Sequence, residues 1–210
     1  MGNQRGLLGP MSFRELMNPP RTPQDVFSNL PVINSPRLLL RPMSMRDAAD
    51  IYAYSRDPEV ARHVLWDAHK TLADSKAYLR YIIKQYRDRV PSSYGIVLRE
   101  TGRLVGTIGF MWYNQDNSST EVGYSLAREL WSKGLMTEAL DAVLEMAFRD
   151  LGVHRVEAQH ETTNPASGRV MQKCGMRHEG RLRGRVFNKG SYVDVELYAI
   201  LREDWILRRG

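Results

Sequence analysis

The chain holds one cysteine, Cys174, in 210 residues, which excludes an intrachain disulfide and any multi-thiolate metal site and suits a reducing, cytoplasmic setting. Its five histidines are scattered, with no pair at helix-face metal spacing, so no metal is expected. No apolar run approaches the length of a membrane span. The opening MGNQRGLLGPMSF is too short in apolar residues for a secretory leader, and Gly6 stands where an acylation motif wants Ser or Thr, so no membrane partner is expected. The basic excess is small: 30 Lys and Arg against 24 Asp and Glu give +6, which serves a polyanionic ligand or a solvated surface equally well. An aromatic-basic pattern of the kind nucleic-acid modules carry is missing, so no specific nucleic acid is expected.

Proline is plentiful only at the start, where six of the ten fall within residues 1–36 among Gly, Asn and Ser. This reads as an extension, 1–34, that wraps the domain or a partner surface and could tie two subunits into a homodimer. A single domain, 35–210, follows. SPRLLLRPM (35–43) reads as a strand, and SMRD (44–47) offers Ser44 and Asp47 as a capping box for a helix that ends before Pro58. Residues 72–89 carry apolar positions at helical spacing. YGIVLRETGRLVGTIGFMWY (94–113) is a hairpin around ETGR, and TEVGYSL (120–126) is the next strand, with Val122, Tyr124 and Leu126 opposite Glu121, Gly123 and Ser125. A helix over 137–150, the strand RVEAQH, a second helix over 167–175 and two closing strands complete the order β, helices, βββ, α, β, α, ββ, an α/β domain.

Two helix starts carry chemistry. In LWSKGLMTEAL (130–140) a strand leads through Ser-Lys-Gly into a helix whose first amides have no intrahelical acceptor, and Gly134 lets a ligand approach the backbone. The Gly-Lys-Ser/Thr order of a Walker loop is not there. In NPASGRVMQK (164–173), Asn164 and Ser167 stand at the second helix start, and Arg169 and Lys173 share a face. Together the two loops suit a long polyanionic cofactor.

The stretch 119–206, STEVGYSLARELWSKGLMTEALDAVLEMAFRDLGVHRVEAQHETTNPASGRVMQKCGMRHEGRLRGRVFNKGSYVDVELYAILREDW, resembles the Gcn5-related N-acetyltransferases (GNAT). It is most similar to their RimJ/RimL-like branch, which acetylates ribosomal-protein N-termini, and SPRLLLRPM resembles that branch's opening. The resemblance implies a central mixed, largely antiparallel sheet of about seven strands with helices on both faces and a cofactor cleft where strands 4 and 5 splay. It implies acetyl-coenzyme A as cofactor, cradled by a Q/R-x-x-G-x-G/A loop. Here Trp131 takes the first position and Met136 the last, both departures, so Trp131, Ser132, Lys133, Gly134, Leu135, Met136 and Thr137 are assigned to the pyrophosphate through their backbone. Ser125, Leu126 and Ala127 are assigned to the pantetheine amides, with amides near Leu126 polarising the thioester carbonyl. Asn164 matches a pantetheine contact and Ser167 a serine near the thiol, while Arg169 and Lys173 complete the cofactor set.

Many relatives carry an acidic tyrosine where this chain has Met171, so Ser167 is the candidate proton donor to the thiolate. Glu121 and His160 are the candidate bases, each with a bland alternative as a paired or packed residue. The branch's glutamate on the sixth strand has no counterpart in RGRVFNK (183–189). Asp194 and Glu196 either attract a cationic amine or bridge to Arg183 or Arg185, and Cys174 is a packing residue. The expected reaction is direct transfer of acetyl to a primary amine, on a protein or peptide N-terminus or on a small molecule, and ribosome association fits an enzyme of this kind. A noncatalytic acyl-coenzyme A-binding or sensing module is the alternative, together with a small-molecule acetyltransferase acting on polyamines or antibiotics. Acceptor choice is assigned to helices 45–89 and the final hairpin.

Overall fold

The computed structural model describes residues 22–209. Thr22 forms a capping box, its hydroxyl accepting from the Asp25 amide while the Asp25 carboxylate accepts from the Thr22 amide, and Pro23 takes the first helical position. The short helix α1 (Pro23–Ser28) leads to the two-residue strand β1 (Ile33–Asn34). Val26, Phe27 and Leu30 are buried in the main core, contributing about 2 kcal/mol each, so this part of the 1–34 stretch wraps onto the domain. Residues 1–21 of the extension lie outside the described residues.

β2 (Leu38–Arg41) alternates: Leu38 and Leu40 enter one core while Leu39 packs against the other, as expected of a strand covered on both faces. Ser44 and Asp47 form the expected capping box, but around a 3-10 turn at Met45–Asp47, and α2 (Ala48–Ser55) follows. The one-turn helix α3 (Pro58–Ala61) begins at Pro58, and α4 (Leu72–Asp88) sets its apolar stripe over β3 (Ser93–Leu98) and β4 (Leu104–Asn114). β5 (Ser119–Leu126), α5 (Leu135–Arg149), β6 (Arg155–Glu161), α6 (Pro165–Lys173), β7 (Arg177–Asn188) and β8 (Ser191–Leu201) come next. A last helix, α7 (Arg202–Arg209), was not expected from sequence; it stacks Trp205 on Phe148 at 5.2 Å.

The sheet has eight strands in the order β1-β2-β3-β4-β5-β6-β8-β7, and every neighbouring pair is antiparallel except β5 and β6. One core packs β2 to β6 against α5, α6 and α7, and the other packs β3 and β4 against α2, α3 and α4. The β5–β6 pairing is short: Ser119, Thr120 and Glu121 meet Arg155, Val156 and Glu157, and no partner follows on either strand toward the other. Both strands run on, β5 to Leu126 and β6 to Glu161, so the sheet opens in its middle.

Candidate active site

The opening continues into two cavities. One, of about 390 Å³, runs between the start of α5 and α6. The other, of about 340 Å³, lies beside α4, β7 and β8. His63, Val64, Tyr124, Ser125, Asn164 and Ser167 line both, which makes these six residues the junction where the contents of the two cavities meet.

The first cavity meets backbone at the start of α5. Gly134 is the N-cap of α5 at φ +75°, a left-handed conformation, and has no side chain to cap the helix; the first intrahelical bond runs from the Glu138 amide to the Gly134 carbonyl at 3.1 Å. Glu138, whose carboxylate in the first turn could fold back on those amides, is engaged elsewhere. It accepts from the Ser35 hydroxyl (2.7 Å), the Arg37 amide (2.8 Å) and the Arg37 guanidinium (2.7 Å). Arg37 also donates to the Lys133 carbonyl at 2.9 Å, so the loop is stapled from behind and its front is left to a ligand.

On β5, the Ala127 amide donates to the Val105 carbonyl, and by antiparallel alternation Ser125 turns its backbone groups to β4 in the same way. The backbone of Tyr124 and Leu126 therefore faces the gap. The Leu126 carbonyl is taken by the Trp131 indole at 2.8 Å, which leaves the Leu126 amide and the Tyr124 peptide groups for a ligand.

Among the residues expected to hold the cofactor, Ser125, Leu126, Trp131 and Ser132 line the first cavity, as do Gly134 to Thr137. Asn164, Ser167, Arg169 and Lys173 line it from α6, and Asn164 also caps that helix through the Ser167 amide. Two expected residues do not line it. Lys133 enters only as a carbonyl bound by Arg37, and Ala127 is spent on β4 and buried in the second core.

Met171 is 1% exposed and packed in the core, so its position on α6 does not face the gap. Tyr124 brings a phenol to the junction instead. The Ser167 hydroxyl donates to the Tyr124 oxygen at 2.9 Å, and the Tyr124 hydroxyl reaches the Ser167 carbonyl at 3.1 Å. Burial raises the Tyr124 pKa, which keeps the phenol protonated. Sequence reasoning placed Tyr124 on an apolar face with Val122 and Leu126; its partner is 43 residues away, with no local signal.

Glu121 and His160 line the second cavity without reaching the junction. Glu121 accepts from the Trp112 indole (2.7 Å) and the Gln159 amide (3.0 Å), and burial raises its pKa against those two bonds. His160 is 8% exposed, with Nδ1 on the Glu161 carbonyl at 2.7 Å and the ring 5.6 Å from Tyr198. Its Nε2 has no partner among the described residues and lies 2.5 Å from where a Cβ on Gly168 would stand, so α6 closes directly over the ring. Asp194 and Glu196 lie away from the site. Asp194 accepts from the Gly184 amide, and Glu196 pairs with His178 and Arg181, where Arg183 or Arg185 had been expected as partners. Cys174 is buried, its thiol donating to the Thr137 carbonyl at 3.4 Å with its pKa pushed up to about 12 by burial, as suits a packing residue.

A mixed sheet parted between two parallel strands, beside an uncapped helix start and a basic pair at Arg169 and Lys173, is the architecture of an acyl-coenzyme A-dependent transferase, and its residues fit that donor's pyrophosphate and amide-bearing arm. The chain belongs to the GNAT acetyltransferases: residues 37–177 match the acetyltransferase (GNAT) domain family. It is 30% identical over 172 residues to the uncharacterized N-acetyltransferase YoaA of Bacillus subtilis, spanning 82% of this chain and 97% of that one. It is 27% identical over 191 residues to the [ribosomal protein uS5]-alanine N-acetyltransferase of Escherichia coli, 85% of this chain and 95% of that one. A solved GNAT-family acetyltransferase from Bacillus anthracis superposes with a TM-score of 0.74 at 27% identity, covering 82% and 99% of the two chains. The protein is an acetyl-coenzyme A-dependent N-acetyltransferase with RimJ/RimL-type homologues.

Proposed function

We propose that the acceptor is the α-amino group of a protein or peptide N-terminus. The observation that carries this is the second cavity and its rim. Two carboxylates, Glu121 and Glu161, line the cavity together with aromatic rings, and among the described residues no Lys or Arg does, which favours a cationic amine. Leu65, Tyr81 and Met111 stand at its edge 66%, 59% and 53% exposed, an apolar collar that an isolated small amine would leave in water and an extended chain would cover. The E. coli relative, a ribosomal protein uS5-alanine N-acetyltransferase, supports the same class of acceptor, and with it ribosome association.

Bound acetyl-coenzyme A supplies an activated acetyl group on a thiol leaving group. The chain's part is to hold and polarise. The start of α5, with Arg169 and Lys173, holds the phosphates; the gap-facing backbone of Tyr124 and Leu126 holds the arm, and the Leu126 amide donates to the carbonyl oxygen. The Ser167–Tyr124 hydroxyl pair protonates the departing sulfur. Comparing peptides of varied first residue with polyamines and amino sugars tests the acceptor: kcat/KM at least tenfold higher for peptides is expected, and faster turnover of any small amine would overturn it.

A further inference from the structure

We infer that His63, oriented by Glu161, is the catalytic base that takes the proton from the acceptor amine. The inference rests on acetyl transfer and not on which amine is used.

Among the titratable side chains described here, only His63 and Tyr124 line both cavities. Tyr124 is a proton donor whose oxygen is engaged with Ser167, so the accepting role at the junction falls to His63. The ring sits in the turn after α3, and its Nδ1 lies 2.7 Å from Glu161 Oε2 at the end of β6. Glu161 is fixed in turn by the Asn188 amide, which donates to Oε1 at 2.5 Å from the end of β7. Burial works to raise the Glu161 pKa, but the bonds from His63, Asn188 and Thr163 outweigh it, so the group is a carboxylate. A carboxylate only accepts, so the neutral form of the His63 ring carries its proton on Nδ1 and leaves the lone pair on Nε2, which has no partner among the described residues.

The two bases expected from sequence are less suited. Glu121 accepts two hydrogen bonds and lies off the junction, and α6 covers His160 Nε2.

The step balances. The amine, drawn to the cavity as a cation, loses its first proton to water, and the neutral nitrogen bonds to the acetyl carbon as the carbon–sulfur bond breaks. One N–H proton passes to His63 Nε2 and the sulfur takes a proton from the Ser167–Tyr124 pair. Exchange with water returns His63 to its neutral form and restores the hydroxyl.

The test uses the fastest-turned-over amine of the peptide and small-amine panel. H63Q should lower kcat about 100-fold, with Kd for acetyl-coenzyme A within twofold, and added imidazole should restore at least tenfold of the loss in H63A. A kcat within threefold of wild type in H63Q, or loss in H63A that imidazole leaves untouched, overturns the assignment. Long-range ¹⁵N–¹H spectra of the unaltered enzyme need no acceptor: they should show neutral His63 protonated on Nδ1, and a proton on Nε2 overturns it. A wild-type enzyme that prefers small amines sinks the N-terminal acceptor while leaving this test intact.

Discussion

Replacing Gly134 by Leu separates binding from folding. At φ +75° a non-glycine residue costs about 1–2 kcal/mol. A Cβ there would meet only Arg37 Nη2, at 3.6 Å, an ordinary contact, so no clash adds to that cost. For a domain of this size the melting temperature should fall by about 2–8 °C and the protein should stay folded. Binding should suffer more, because the side chain holds a phosphate off the helix amides. Losing one charge-assisted hydrogen bond is worth about 1.5–3 kcal/mol, or roughly 10–150-fold in Kd. Calorimetry with coenzyme A reads the affinity, and the KM for S-acetylpantetheine, which lacks the pyrophosphate, serves as control and should not move. Coenzyme A affinity within threefold of wild type, or an equal loss on the short donor, would refute the cradle.

Tyr124→Phe should lower kcat about 10–100-fold by removing the phenol from the proton-donating pair, and Ser167→Ala should match it. A double variant no slower than either single one marks them as one unit, whereas wild-type kcat in Tyr124→Phe ends that role. Burial raises the Glu138 pKa, but the Arg37 amide, the Ser35 hydroxyl and the Arg37 guanidinium hold it below its ordinary 4.5. With the folded value depressed, the stabilisation is complete above pH 4.5 and is lost as pH falls through the folded value. The melting-temperature gap between wild type and Glu138→Gln should therefore be widest at neutral pH and close in acid; a constant gap would contradict the staple.

What was legible in the sequence was local. Hydrophobic period placed α4 and the β3–β4 hairpin, and the turn residues around Gly134 marked the loop that opens beside the gap. α5 begins at Leu135, two residues before the expected start, because Gly134 itself serves as N-cap. Thr22, Pro23 and Asp25 carry the signal for α1, and the acidic first turn and basic last turn of REDWILRR that for α7. The chemistry was less legible because its contacts join distant segments. His63 and Glu161 are 98 residues apart and meet only when α3 folds against the end of β6. Met171, by contrast, looked like a lost tyrosine, and the fold buries it while β5 sets the Tyr124 phenol beside Ser167.

Where β5 and β6 part, the domain carries two strand edges turned toward one another. An exposed edge invites any passing strand, but this pair admits only a guest narrow enough to enter and furnished with its own amides. A donor such as acetyl phosphate has the reactive acetyl and the charge but nothing to complete either edge. On the proposed reading, the slit chooses its donor by backbone pairing ahead of any side chain.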